Sequence, residues 1–194
     1  MSHAIYQTSA LILTTKNMRE SNKLLTLYTE RFGIIYASTQ SIRALKSKMR
    51  FHTHALSLVD VDLVRGRDIW KLTGIHEKKP AFNFVGTDAY TLIYNMSALL
   101  RRLCNGEESH DEIWKDIEQM YNFLDLKETH SPEFFEIIEI VFVARLLYQL
   151  GYWEGEQEFL HIKNPFNKEI IEKLDVNTSY LINRINEGIQ SSQL

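Results

Sequence analysis

The sequence predicts an α+β chain: a small five-stranded barrel followed by an all-helical domain. Three observations carry this. Strand-like runs fill the first 80 residues, helical periodicity fills the rest, and formal charge changes sign between them. Residues 1–80 hold 13 Lys and Arg against 6 Asp and Glu, a net +7; residues 81–194 hold 9 against 19, a net −10. The whole-chain net of −3 hides this asymmetry. It marks two modules with different partners, 1–80 and 81–194, with the break near Lys78-Lys79-Pro80.

Five strands are expected in the first module. Residues 4–15 and 23–30 are rich in apolar and β-branched types, and Gly33 introduces the short run 34–39. Residues 53–64 alternate: Val59, Val61 and Leu63 share one face, Asp60 and Asp62 the other. Arg65-Gly66 signals a turn before a last strand at 67–77. Five short strands without a long intervening helix suggest a small barrel, with the oligonucleotide-binding (OB) type as one solution.

The second module reads as helices. Ala89, Leu92, Met96, Leu99 and Leu103 form one stripe. Ser109 and Glu112 have capping-box spacing ahead of Ile113, Trp114, Ile117, Met120, Tyr121 and Leu124. Ser131-Pro132-Glu133 opens a helix, apolar almost all round, that Gly151 should stop. Asn164-Pro165 precedes a short helix ending near Leu174, and Asn177 or Thr178 caps the last one.

Composition excludes several classes. One cysteine, Cys104, permits neither an internal disulfide nor a four-cysteine zinc site, and fits a reducing compartment. The longest apolar run, Ile137 to Leu150, is too short to span a bilayer and carries Glu139 and Arg145. The start, Met1-Ser2-His3-Ala4, lacks the basic and apolar regions of a secretion signal.

Catalytic patterns are weak. His52 and His54 would share a strand face, but no third ligand follows at diagnostic spacing. Asp60 and Asp62 read as the wet face of a strand, and Glu133, Glu136 and Glu139 as a solvated helix edge. Cys104 reads as a buried thiol. No phosphate-binding loop, nucleophile elbow or dinucleotide fingerprint is present. No cofactor and no enzymatic activity are expected.

The binding signal is stronger. Arg43, Lys46, Lys48 and Arg50 fall within eight residues, and no acid lies between Arg31 and Asp60. Crowded cations call for an anionic partner. Arg65, Arg67 and Lys71 extend the patch, and Tyr28, Phe32, Tyr36, Phe51 and Trp70 are near in sequence. A basic groove with aromatic platforms is how OB barrels hold single strands, although strand aromatics more often pack inward.

These residues also carry a resemblance. Ala10-Leu11-Ile12-Leu13, the run Arg19 to Glu30 and Gly33 resemble the start of the bacterial DNA-repair family RecO. So do Lys46-Ser47-Lys48-Met49-Arg50, the strand Leu56 to Leu63 and Arg65-Gly66-Arg67. Phe134-Phe135-Glu136 and the run Leu146 to Tyr152 resemble its buried central helix and Leu-Gly-Tyr ending. The resemblance implies an OB barrel joined to a helical domain that binds single- and double-stranded DNA without sequence preference. It further implies strand annealing, help in loading RecA together with RecR, contact with the tail of single-stranded-DNA-binding protein, and a cytoplasmic, nucleoid-associated setting. Carried over by position, Arg43, Lys46, Lys48 and Arg50 are the first phosphate contacts, with Lys23, Arg65 and Arg67 beside them.

There are departures. Gln40-Ser41 stands where many members have Lys-Gly, the four-cysteine zinc finger of some members is missing, and the region from Glu154 to Lys168 looks abbreviated. The helical domain is therefore expected to be a shortened one. The cations offered to an acidic tail are Arg101, Arg102, Lys115, Lys127, Arg145, Lys163, Lys168, Lys173 and Arg184. Two other readings stay open: an adaptor that docks RecR and binds DNA weakly, and an RNA-binding OB module.

Overall fold

The computed structural model describes residues 4–18, 22–39, 52–124, 131–153, 160, 163, 165–173 and 178–191. Strands β1 (Ile5–Met18), β2 (Asn22–Thr29), β3 (Gly33–Thr39), β4 (Leu58–Val64) and β5 (Trp70–Lys79) close a barrel in the order β1-β2-β3-β5-β4. This is the expected OB-type barrel of an α+β chain. β1 serves two antiparallel partners. Its first half, Ile5 to Leu11, pairs with β4, and Ala10 to Met18 pairs with β2, with a register shift between Ile12 and Thr14. A short parallel contact closes the ring, Ala37 opposite Trp70 and Ser38 opposite Lys71.

Period-two alternation aims Ala10, Ile12, Leu25, Leu27, Ile35, Ala37, Val59, Val61 and Leu63 into the barrel core. Two strand boundaries differ from expectation. β4 starts at Leu58, because Leu56 turns the chain with a left-handed φ of 68°. Its N–H donates to the Ile12 carbonyl at 2.7 Å, and the Ile12 N–H donates to Ser57 O at 3.1 Å. β5 starts at Trp70, since Arg65 to Ile69 form the turn.

Alternation turns Leu11, Tyr28 and Ile34 away from the core, yet they are buried, as is Leu13. Their cover comes from later in the chain. The chain divides into two compact units: Met1–Gly86 with Ser97–Asp111, and Thr87–Met96 with Glu112–Leu194. Ser97 Oγ donates to Leu13 O at 3.3 Å, and the Ile34 N–H donates to Gly106 O at 3.0 Å. Drawn on these units, the barrel holds 15 Lys and Arg against 9 Asp and Glu, a net +6, and the helical unit is −9. The asymmetry seen in the sequence persists.

Cys104 lies in this cover, and burial pushes its thiol up to about 12. Burial likewise raises the Tyr28 hydroxyl. A thiol so held is protonated at pH 8, and the thiolate is the reactive species. The folded chain should therefore label slowly with a disulfide reagent and the urea-unfolded chain at once. Equal rates would contradict a buried Cys104.

The helices are α1 (Asp88–Leu103), α2 (Asp111–Leu124), α3 (Pro132–Gln149), α4 (Lys168–Lys173) and α5 (Thr178–Ser191). α1 crosses the division, its first nine residues counting with the helical unit and the rest with the barrel. Its buried line includes Ile93 and Leu100, whereas the expected Leu99 is only half-buried. α2 begins at Asp111, which leaves Ser109 two residues short of the first helical position. α3 starts with Ser131 at the N-cap and Pro132 in the first turn, and Gly151, at φ 78°, follows its C-cap Leu150. Ile138, Ile140, Val141, Phe142, Leu146 and Leu147 are all buried, so this helix is enclosed on several sides. At Gly188 of α5 an added Cβ would lie 2.9 Å from Tyr152 O, so this position needs glycine for the close approach.

Candidate nucleic-acid interface

The outward residues of the barrel form rows because the strand register aligns them. Lys16 on β1 pairs with Leu24 on β2, Leu24 with Ser38 on β3, and Ser38 with Lys71 on β5. Neighbouring strands lie about 4.8 Å apart, and this row crosses four of them with a lysine at each end. The next row is Thr14, Thr26 and Tyr36, with Thr14 Oγ1 donating to Thr26 Oγ1 at 3.0 Å. Lys16 and Lys71 are exposed, and Tyr36 is 53% exposed. A polar face with one open aromatic ring between two cations can hold a polyanion's backbone and stack one of its bases.

The β4–β5 turn adds two more cations. Arg65 and Arg67 are both exposed. Gly66 makes the turn possible, since a Cβ there would overlap the Ile69 carbonyl. The Arg65 guanidinium lies 4.7 Å from the Trp70 ring centroid, and its Nη1 donates to Glu107 Oε2 at 2.5 Å. Trp70 Nε1 donates to the other oxygen, Glu107 Oε1, at 3.1 Å.

Lys23 has a different task. Alternation with Leu25 and Leu27 turns it to the core side, at the barrel's open end. Its Nζ donates to Thr53 Oγ1 at 3.0 Å, and its N–H donates to Thr39 Oγ1 at 3.2 Å. Thr39 and Thr53 are both buried. Lys23 thus ties the end of β3 to the approach to β4. Arg43, Lys46, Lys48 and Arg50 lie outside the described residues.

The aromatics divide. Tyr28 and Trp70 are buried, as strand aromatics usually are. Trp70 packs edge-on to Tyr6 at 5.5 Å and tilted against Phe32 at 5.0 Å, closing one end of the core. Tyr36 alone of those named is well exposed among the described residues, and Phe51 lies outside them. His52 and His54 precede β4 and share no strand face, and His52 Nδ1 lies 3.4 Å from Glu77 Oε2. No group of three His, Cys, Asp or Glu residues could hold a metal ion among the described residues.

The β4 side of the barrel is acidic. Asp60 and Asp62 accept from Ser9 Oγ at 2.7 Å and Gln7 Nε2 at 2.8 Å, beside a groove of about 640 Å³ that Glu30 and His76 also line. Lys78 Nζ lies 3.8 Å from Asp60 Oδ1.

In the helical unit, Arg145 is fully engaged. Its Nε and Nη2 donate to Asp116 Oδ2 and Oδ1 at 2.8 and 2.9 Å, and its Nη1 donates to Leu160 O at 2.7 Å. Gln149 Nε2 also donates to Asp116, at 2.9 Å. Burial pushes the Asp116 carboxyl up, against the Arg145 fork and the Gln149 amide that pull it down. Lys115 and Lys163 stand beside this pair at a cavity of about 330 Å³. Arg184 stacks 5.7 Å from the Trp153 ring centroid and pairs with Glu187 at 3.0 Å. Lys127 lies outside the described residues, and no helix among them is long and apolar enough to cross a membrane.

Sequence reasoning missed Lys16 and Glu107. Lys16 is a lone cation at a strand end, and only the register reveals its partner row. Glu107 lies 37 residues beyond Trp70, past a whole helix.

Comparison with known proteins agrees with the barrel. Residues 1–79 match the family model described as Recombination protein O N terminal. The chain is 28% identical over 151 residues to the DNA repair protein RecO of Clostridium novyi (strain NT), covering 77% of this chain and 57% of the relative. It is 26% identical over 151 residues to that of Clostridium perfringens (strain 13 / Type A), covering 77% and 59%. Against RecO of Dehalococcoides mccartyi (strain CBDB1) the identity is 33% over 69 residues, 36% of this chain and 27% of the relative. The chain thus spans under two thirds of the length of these relatives. Its first 79 residues match the N-terminal domain of recombination protein O, and about three quarters of the chain is similar to RecO proteins.

Proposed function

We propose that this protein acts in DNA repair by holding DNA on the outer face of its barrel. The carrying observation is the row Lys16, Leu24, Ser38 and Lys71 beside the open Tyr36 ring. Arg65 and Arg67 flank it from the β4–β5 turn, one of the two loops that OB barrels use for oligonucleotides. The cations grip phosphates and leave base edges free, which suits binding of single and double strands without sequence preference and the annealing of complementary ones. To Arg43, Lys46, Lys48 and Arg50, four cations within eight residues, we likewise assign phosphate contacts. Help in RecA loading with RecR, and a cytoplasmic, nucleoid-associated place of action, complete the reading. The work is electrostatic capture and docking, with no covalent step and no cofactor. For an acidic tail such as that of single-stranded-DNA-binding protein, Lys115 and Lys163 at their shared cavity are the contacts we favour.

Fluorescence-anisotropy titration with an unstructured single strand tests this. Each phosphate contact to a single strand adds about −0.7 to the slope of log K against log salt, so Lys16→Glu with Lys71→Glu should flatten it by roughly 1.4. Affinity at low salt should fall roughly tenfold or more, about equally for all sequences. An unchanged slope removes these two lysines from the interface.

One observation favours the adaptor reading. Lys23 and Arg65, two of the expected phosphate contacts, already have intramolecular partners. Co-purification with RecR, together with no strand binding by the chain alone, would select it.

A further inference from the structure

Arg65 and Glu107 are 42 residues apart, and their meeting is arranged by backbone. Gly106, at φ 71°, places its carbonyl on the Ile34 N–H. Gly33, at φ 62°, leaves the space that the Glu108 backbone fills. The Glu107 carboxylate is thereby set at the end of the barrel with one oxygen on the Trp70 indole N–H. Its second oxygen takes the Arg65 Nη1–H.

The chemistry of this contact is that of an anion site. A guanidinium reads a carboxylate and a phosphate through the same forked geometry. The pair is open to solvent, with side chains 59% and 41% exposed. Open pairs are weak and exchange with competing ions. Glu108 and Asp111 follow in sequence, so this cation site lies beside an acidic stretch of the barrel's own unit.

We propose that Glu107 is an internal anion occupying the phosphate site of Arg65, and that it gives way when a DNA backbone binds the barrel's outer face. This rests on the strand-binding reading above. It makes Glu107 a determinant of affinity. A single phosphate does not displace a carboxylate tethered this close. A strand that also engages Lys16, Lys71 and Arg67 does.

The test is a salt series of strand titrations on the full chain with Glu107→Gln, Arg65→Gln and the double variant. Gln keeps an oxygen for the Trp70 N–H and removes the charge. Glu107→Gln should bind about three- to tenfold tighter at low salt and steepen the slope by about 0.7, one added phosphate contact. The double variant should bind no tighter than Arg65→Gln. If Glu107→Gln fails to fold, Glu107→Asp serves: its shorter arm loses Arg65 while keeping the charge, and binding should still tighten. A wild-type chain that binds, with Glu107→Gln equal or weaker, overturns this inference and leaves the strand-binding reading standing. A gain that persists without Arg65 also overturns it, since it reports only net charge. A wild-type chain that binds no strand at low salt overturns both.

Discussion

Replacing Arg145 with Met should destabilise the helical unit by about 3–5 kcal/mol, the cost of leaving a buried charge without its partner. Asp116 and Arg145 are 3% and 4% exposed, so water cannot take over the lost role. The variant would strand the Asp116 carboxylate with only the Gln149 amide and would free the Leu160 carbonyl. The double change Arg145→Met with Asp116→Leu should recover most of the loss, because a buried ion pair gains little over well-packed apolar groups. Urea unfolding followed by circular dichroism reads both. A double variant as weak as the single one would mean that the Leu160 carbonyl contact, not the charge pair, holds this region.

The single variant also carries a pH signature. Burial raises the Asp116 carboxyl, and without Arg145 the strongest opposing pull is gone. A carboxyl raised in the folded state contributes stability when protonated, and loses it as pH rises through the folded value. The deficit of Arg145→Met should therefore shrink as pH falls from 8 towards the unfolded carboxyl value of about 3.9. A deficit that stays constant across that range would contradict burial as the main influence.

Replacing Gly33 with Val should cost about 3–5 kcal/mol in the barrel, from left-handed backbone strain together with overpacking. Gly33 sits at φ 62°, a region costly for a β-branched residue, and any Cβ there would overlap the Glu108 backbone. The strand start and the covering segment would have to part. Leu11, Leu13, Tyr28 and Ile34 would then face water. Enhanced binding of a hydrophobic dye at temperatures below the unfolding transition would report this. A Val variant melting within a few degrees of the wild type would show that the segment yields without loss.

The barrel was legible because alternation is a local signal. Val59, Val61 and Leu63 against Asp60 and Asp62 state which face is dry without reference to any partner. The same rule, applied to Lys23-x-Leu25-x-Leu27, already turns Lys23 inward, against its reading as a phosphate contact. The α3 helix was legible from its cap, its proline and its lack of a polar face. What escaped is non-local. Asp116 lies among the polar residues Lys115, Glu118 and Gln119, and nothing in its neighbourhood names Arg145, 29 residues on, as its partner. The row from Lys16 to Lys71 needs a register across four strands. Leu11, Leu13, Tyr28 and Ile34 look like ordinary strand residues until the cover over them is known.

That cover also sets an order of events at the ribosome. The last strand ends at Lys79, yet the carboxylate that accepts the Trp70 N–H belongs to Glu107, 28 residues later. At about 5–20 residues per second, a nascent barrel waits seconds with its outer apolar strip bare. In that interval all five strands exist, but the strip has no lid and is open to association with other chains. The segment from Ser97 to Asp111 is in this sense the barrel's closing step, and its folding clock is set by a helix that is not part of the sheet.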